Sequence, residues 1–250
     1  MNKVLDDRSQ NKLSTKNPFI ERGIFSLEAI GRVISGGLVD VDLIDPGGSV
    51  ADMPTCFAKG TKIMLADGRS KQIELLTLAT PNAPTSGDAL LSIDGQKVYV
   101  VGMVAGRRPE PCVRITAKPT TPEYKKEQFV LTISLGHTVL VGLSRMVHAV
   151  FLRTGDYVST IYGQAMITKR ELVEYDDEVF NVYLASMDFI QQILPTLTVE
   201  RLYYHIANSS LGLTPRQHLI FGNGILSGDL YIQTHGTELA RLGQNLTSFV

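Results

Sequence analysis

Short runs of apolar residues separated by turn residues make up most of the chain from residue 56 onward. Residues 89–93, 128–134 and 178–184 are typical of these runs and are rich in Val, Ile and Leu. Many short strands at close spacing predict an all-β domain rather than alternating strands and helices. The Pro-containing stretches at residues 80–85 and 118–122 are expected to form hairpin loops.

Two parts of the chain depart from this pattern and are predicted to be helical. Residues 25–34 carry apolar residues at helical spacing within an otherwise polar segment, residues 1–55. Residues 186–216 contain two helix-like stretches separated by Pro195, which disfavours a continuous helix. We interpret this second region as a small helical insertion in the β domain. A last β-like piece, residues 218–232, is followed by a polar tail.

A weak internal repeat runs through the β-like region. Residues 86–90, Ser-Gly-Asp-Ala-Leu, resemble residues 154–158, Thr-Gly-Asp-Tyr-Val. Each copy is expected to be a turn that leads into a strand. Residues 227–230, Ser-Gly-Asp-Leu, form a third copy and are interpreted in the same way.

Composition excludes several classes of protein. Of the 250 residues, 44% are hydrophobic and 20% are charged, which is unlike a disordered chain. A formal net charge of −1 provides no global basic field for nucleic acid or for an anionic membrane surface. The best apolar run, residues 129–143, is shorter than the roughly 20 residues that a membrane span needs. Without a signal peptide or a disulfide framework, the sequence favours a cytoplasmic location.

Cys56 stands where the β-like pattern begins and is the candidate nucleophile. A thiol needs a proton-transfer partner and an electrophile within reach. The preceding carbonyl, that of Thr55, is one such electrophile, and attack on it is an N-to-S acyl shift that requires a proton donor for the departing nitrogen. His137, which follows a strand and a turn, and His218 are candidate partners. Taken singly, a buried Cys or His is more often structural.

Several motifs, in the same order, resemble those of the Hint family of hedgehog and intein self-processing domains. The opening motif is Cys-Phe-Ala-Lys-Gly-Thr-Lys-Ile from Cys56, followed by Asp-Gly at residues 67–68 and Gly-Asp at residues 87–88. The second motif, residues 131–141, has Ser134 in the usual position of a Thr and His137 as its His.

The later motifs also follow the family order. Residues 155–158 resemble a later turn, residues 178–182 a strand near the end of the domain, and residues 218–226 the closing motif. The resemblance covers about residues 56–229, apart from the insertion. It implies an all-β, Hint-like fold with a pseudo-twofold repeat, between an N-terminal extension (1–55) and a C-terminal tail (230–250).

The resemblance also implies a reaction and the residues that perform it. Cys56 attacks the carbonyl of Thr55, and the scissile bond is the peptide bond between them. His137 positions and protonates the amide nitrogen, and Ser134 forms a hydrogen bond to the distorted peptide. His218 assists proton transfer or thioester opening. Water or an external nucleophile then releases the chain's own N-terminal segment, and no metal or cofactor is expected.

The departures from the family pattern limit this reaction. Inteins usually end in His-Asn followed by Cys, Ser or Thr, whereas here the equivalent residues are Gly228, Asp229 and Leu230. Splicing is therefore not expected, and Asp229 is at most a remnant of the C-terminal site. Asn181 stands where many members have an Asp that assists the first step. Cys112 matches no family site and is expected to be structural.

Two other functions compete with autoprocessing. The chain is alternatively a structural or binding protein that keeps a Hint-like fold with little chemistry, as the lost end residues and the insertion suggest. A Cys-His hydrolase that acts on separate substrates is the weaker alternative, because no substrate-binding motif stands out.

Overall fold

The computed structural model describes residues 55–106, 110–143 and 145–241. Their regular structure is mainly antiparallel β, so the predicted all-β fold is confirmed. The strands, in chain order, are β1 (Phe57–Ala58), β2 (Lys62–Met64), β3 (Ser70–Gln72), β4 (Ala89–Leu91), β5 (Lys97–Gly106), β6 (Glu110–Pro119), β7 (Phe129–Ser134), β8 (Thr138–Val141), β9 (Arg145–His148), β10 (Tyr157–Thr160), β11 (Gly163–Tyr175), β12 (Val179–Ala185), β13 (Leu219–Gly222) and β14 (Ile225–Gly228). The α-helices of the described residues are α1 (Val199–Asn208) and α2 (Leu230–Arg241). The helix predicted for residues 25–34 lies outside the described residues.

The strands form one continuous hydrogen-bonded sheet that closes on itself. Its order is β3-β2-β13-β14-β8-β10-β11-β6-β7-β1-β12-β5-β4, with β9 paired to β8. Single bridges join Leu65 to Leu90 and Ser92 to Ile220, so β4 and the residue after it, at one end of the path, are linked to the residue after β2 and to β13, near the other end. Among the described strands, β3 pairs only with β2, and the closed part of the sheet encloses the main apolar core. β1 lies between β7 and β12, in the interior of the path.

The sheet contains two halves with the same order of elements. In the first half, the hairpin β2–β3 leads through a 3-10 helix at Ile73–Leu75 to β4 and the long strand β5. In the second half, β8–β9 leads through a 3-10 helix at Ala149–Phe151 to β10 and the long strand β11. The long strands cross between the halves, since β5 pairs with β12 and β11 pairs with β6.

The two Gly-Asp turns make matching hydrogen bonds in the two halves. Asp88 Oδ2 accepts from the backbone N–H of Thr77 at 2.6 Å. Asp156 Oδ2 accepts from the backbone N–H of Arg153 at 2.8 Å. The weak sequence repeat therefore corresponds to a repeated structural unit, in agreement with the pseudo-twofold repeat predicted for the fold.

Two local predictions were wrong. The apolar run at residues 147–152 predicts one strand, but β9 ends at His148 and a 3-10 helix follows. The third Gly-Asp copy was predicted to lead into a strand, but Leu230 begins α2. Asp229 Oδ1 accepts from the backbone N–H of Ile232 at 3.1 Å, so the carboxylate caps the helix N-terminus instead of shaping a turn.

The region predicted as a helical insertion is helical. A π-helical turn at Phe189–Ile193 and a 3-10 turn at Leu194–Thr196 precede α1. The α1 side chains Leu202 and Ile206 are buried in the same apolar cluster as Cys56. This helical region therefore packs in the same apolar cluster as the candidate nucleophile. In the described part of the chain, none of the helices is long and apolar enough to cross a membrane.

Candidate functional site

Cys56 lies at the entrance of the central strand β1. Phe57 pairs with Ile133 of β7 on one side and with Phe180 of β12 on the other. This double pairing fixes the backbone immediately after Cys56, whose exposed fraction is only 3%. Thr55, the residue before it, is half-buried. The predicted scissile bond is therefore located where the chain enters the interior of the sheet.

Two side chains donate hydrogen bonds to the carbonyl oxygen of Thr55. His137 Nδ1 lies 3.0 Å from this oxygen, and Asn181 Nδ2 lies 2.5 Å from it. Asn181 comes from the middle of β12, and its Oδ1 accepts from the N–H of Val182 at 2.8 Å, which fixes the orientation of the amide. Two converging donors at one carbonyl oxygen form the arrangement that stabilises an oxyanion.

Ser134 bonds the other side of the same peptide group. Its Oγ accepts from the backbone N–H of Cys56 at 2.6 Å and donates to the carbonyl oxygen of Cys56 at 3.1 Å. The N–H of Ser134 also donates to that oxygen, at 3.0 Å. The last residue of β7 therefore holds Cys56 on both its amide and its carbonyl side.

The ring of His137 is fixed and uncharged at neutral pH. The residue is fully buried, and its ring meets that of Phe57 edge to face at a centroid distance of 4.2 Å. Burial lowers its pKa to about 3, with a smaller lowering contribution from His148, and the bond to the Thr55 oxygen only partly opposes this. Because Nδ1 donates to a carbonyl, Nε2 carries the lone pair, and it has no hydrogen-bond partner among the described residues.

A second buried pair consists of His218 and Asp229. His218 Nδ1 lies 2.8 Å from Asp229 Oδ2, and both side chains are excluded from solvent. The ring of Tyr231 stacks on His218 at 4.3 Å. Burial, and secondarily the charge of Asp229, raise the pKa of Tyr183. Because Nδ1 faces the carboxyl oxygen of Asp229, Nε2 is the ring nitrogen left without a hydrogen-bond partner among the described residues.

The two groups of residues are neighbours in the sheet. β8, which follows His137, pairs with β14, which precedes Asp229. Contact at this point is close, because a Cβ built on Gly228 would lie 3.0 Å from Thr138 Oγ1. The structure thus brings Thr55, Cys56, Ser134 and His137 together and places the His218–Asp229 pair on the adjoining strands.

Two contacts differ from the sequence-based expectation. His137 was expected at the amide nitrogen of the scissile bond, but its ring bonds the carbonyl oxygen, and Ser134 bonds the nitrogen. Asn181 was noted only as a replacement for an Asp, yet it is the second donor to this oxygen. An amide within an otherwise apolar, wholly buried strand requires a partner, and that was the available signal.

Cys112 lies in the sheet rather than in the reaction site. It is fully buried and pairs with Ser134 across β6 and β7. It is not joined to Cys56 in a disulfide. Among the described residues, no group of three or more His, Cys, Asp or Glu side chains is arranged to hold a metal ion.

No protein-family model and none of the curated proteins matches the chain. Among solved structures, the bacterial intein-like domain from Clostridium thermocellum is 15% identical, with 70% of this chain and 98% of that chain covered and a TM-score of 0.46. The gp41-1 intein is 14% identical, with 69% and 97% covered and a TM-score of 0.43. A DnaB intein from Synechocystis sp. PCC 6803 is 11% identical, with 70% and 97% covered and a TM-score of 0.44. Likeness at this level carries no information on the chemistry of the site.

We expect the low pKa of His137 to make the fold less stable in acid. The unfolded chain binds a proton at this residue below its ordinary pKa of 6.5, whereas the folded chain does so only near 3. The contribution of the neutral His137 to the free energy of unfolding is therefore fully present above about pH 6.5. It is lost as the pH falls towards 3, by at most about 1.4 kcal/mol per pH unit. Urea unfolding of wild type and His137→Gln at about pH 7 and about pH 4.5 measures this loss of stability.

His205→Gln is the matched control, because His205 is only partly buried in α1 and, unlike His148, does not contribute to the lowered pKa of His137. Wild type and this control should lose stability in parallel as the pH falls, while His137→Gln loses less. Equal slopes for all three proteins would contradict the assignment of a neutral, buried His137.

Proposed function

We propose that this chain is a self-processing domain of the Hint type, which rearranges its own Thr55–Cys56 peptide bond into a thioester. The observation that carries the proposal is that both polar atoms of this one peptide bond are bonded to fully buried side chains. His137 and Asn181 donate to its oxygen, and Ser134 accepts from its nitrogen. The end of a strand can be stable without side chains bonded to both atoms of one peptide bond, whereas acyl transfer needs groups placed at both the oxygen and the nitrogen.

In the proposed first step, the Sγ of Cys56 attacks the carbonyl carbon of Thr55. A C–S bond forms, and the C–N bond breaks as the tetrahedral intermediate collapses. Negative charge collects on the Thr55 oxygen before that collapse. The N–H groups of His137 and Asn181 already point at this oxygen, and their bonds strengthen as the charge develops.

Proton transfer in the proposed reaction uses both nitrogens of His137. The net change is transfer of one proton from the sulfur to the nitrogen of Cys56. Nδ1 releases its proton to the departing nitrogen, and Nε2, which has no hydrogen-bond partner among the described residues before the reaction, takes up the proton that the thiol loses. The oxygen and nitrogen of an amide are only about 2.3 Å apart, so a small rotation of the ring redirects Nδ1. The low pKa makes the transient imidazolium a strong proton donor.

In the proposed second step, water opens the thioester. The product is a carboxylate on Thr55, and the thiol of Cys56 is regenerated. The carboxylate of Asp229 orients His218, which supports a role for Nε2 of His218 as the base that activates this water. A small external thiol or amine can replace water and gives the corresponding acyl product.

Intact mass of the purified full chain, with and without dithiothreitol or hydroxylamine, tests the proposal. Either reagent should release an N-terminal fragment and leave a product that begins at Cys56. Cys56→Ala should abolish this cleavage, and Cys112→Ala, which removes the other buried thiol, should leave it intact. Reagent-induced cleavage that persists in Cys56→Ala would overturn the site. A wild-type chain that never reacts would favour a binding protein that keeps the fold.

The carbonyl donors are expected to control the rate of the first step. His137→Ala should slow thioester formation by roughly 10²–10⁴-fold, because a positioned proton donor is lost. Asn181→Ala should slow it by roughly 10²–10³-fold, the usual effect of removing one oxyanion donor. The rates come from the time course of hydroxylamine cleavage, with circular dichroism as a check of folding.

His205→Gln, a histidine change in α1, is the control and should retain the wild-type rate. If folded His137→Ala reacts as fast as wild type, the histidine has only a structural role.

The C-terminal junction is expected to be inert. Both carboxylate oxygens of Asp229 are engaged, Oδ1 with the N–H of Ile232 and Oδ2 with His218. Gly228 has no side chain to donate a proton, and Leu230 has no nucleophile to accept an acyl group. Mass spectrometry should therefore show a large product that runs from Cys56 to Val250. A fragment that ends at residue 229 would show that Asp229 is reactive.

A further inference from the structure

The side chain of Gln233, in the first turns of α2, spans two strands next to the reaction site. Its Oε1 accepts from the backbone N–H of Thr138 at 2.9 Å. Its Nε2 donates to the carbonyl oxygen of Gly228 at 2.9 Å. One carboxamide thus joins the start of β8 to the end of β14. Gln233 lies beyond residue 229, where the sequence resemblance to the Hint family ends.

This bridge bears directly on the backbone of His137. The N–H of His137 donates to the carbonyl oxygen of Ser134 at 3.1 Å, and its own carbonyl accepts from the N–H of Ala149 at 2.7 Å. Both bonds come from neighbouring turns of the same half of the sheet. The peptide group that follows His137 carries the N–H of Thr138, and its recorded side-chain partner is Gln233. Three hydrogen bonds thus hold the backbone on either side of the His137 ring, and α2 supplies one of them through Gln233.

The first turn of α2 is fixed in place by its cap and by close packing against the sheet. Asp229 caps it, and Leu230 and Ile232 are buried. A Cβ on Gly228 would lie 2.7 Å from Cγ2 of Ile232, so helix and strand are in close contact. The next residue, Tyr231, stacks on His218. Residues of one helical turn thus contact both histidines or their neighbours: Tyr231 stacks on His218, and Gln233 bonds the residue after His137.

We infer that Gln233 is a positioning residue that, through Thr138, holds His137 Nδ1 against the Thr55 carbonyl oxygen, and that α2 is part of the reaction site. This inference rests on the proposed function for its effect on rate. A displacement of the ring by a fraction of an ångström lengthens the 3.0 Å contact and removes the donor from the position where charge develops.

The test compares Gln233→Met with wild type in the full chain. Met keeps the length of the side chain and its helix propensity but forms neither hydrogen bond. The rate of hydroxylamine-induced cleavage should fall roughly 10- to 100-fold. Thr234→Ala is the matched control, because its hydroxyl bonds only residues of its own helix, and it should keep the wild-type rate. If Gln233→Met does not fold, Gln233→Glu, which retains an acceptor for the Thr138 N–H, replaces it with a smaller expected loss.

A double-mutant cycle separates positioning from general damage. In a His137→Ala background, Gln233→Met should change the residual rate by less than about twofold, since its effect passes through the missing ring. An equal loss in both backgrounds, or no loss in wild type, would overturn the inference.

Proton NMR provides a readout that does not require turnover. The Nδ1 proton of His137, bonded to a carbonyl and buried, should give a downfield signal protected from solvent exchange in wild type and in Thr234→Ala. The signal should be lost or shifted in Gln233→Met. If wild type never cleaves, the proposed function fails, and this signal still decides the position of the ring. An unchanged signal in Gln233→Met would overturn the inference.

Discussion

Three fully buried polar side chains, Ser134, His137 and Asn181, must find hydrogen-bond partners inside an apolar sheet, and the rest of the site depends on this constraint. Each buried group left without a partner costs about 1–3 kcal/mol. Each of the three forms a hydrogen bond with the peptide group between Thr55 and Cys56, and Nε2 of His137 is left without a partner among the described residues. The fold thus holds the peptide in one position for reasons of stability alone, and the same contacts are those that acyl transfer requires.

Burial also decides which chemistry His137 can supply. In water an imidazole is partly charged near neutral pH, but here desolvation keeps it neutral, with a pKa of about 3. A neutral ring has one N–H and one lone pair, and the bond to the Thr55 oxygen assigns the N–H to Nδ1. The ring can therefore accept a proton at one nitrogen while it donates from the other. A histidine at the surface would carry a mixture of charge states and lack this fixed polarity.

The sequence predicted the all-β fold and named Cys56, Ser134 and His137, which the structure brings together; what it missed has physical reasons. Short apolar runs bounded by turn residues are a local signal, so most strands were predicted. The order of the motifs located Cys56, Ser134 and His137. The role of Asn181 depends on a contact with a residue 126 positions away, which no local pattern encodes. The role of Gln233 also depends on residues distant in the sequence. The start of α2 was predicted as a turn because Asp is common both in turns and at helix N-termini, and Asp229 caps the helix.

The contacts of Asp229 follow from its functional group. An Asn can attack its own carbonyl through its amide nitrogen, whereas a carboxylate is mainly an acceptor of hydrogen bonds. Here the two oxygens accept from His218 and from the first turn of α2. The first contact orients a base, and the second begins the helix that carries Gln233. In the proposed reaction, the buried His218–Asp229 pair therefore supports chemistry at the Thr55–Cys56 bond and leaves the bond after Asp229 intact.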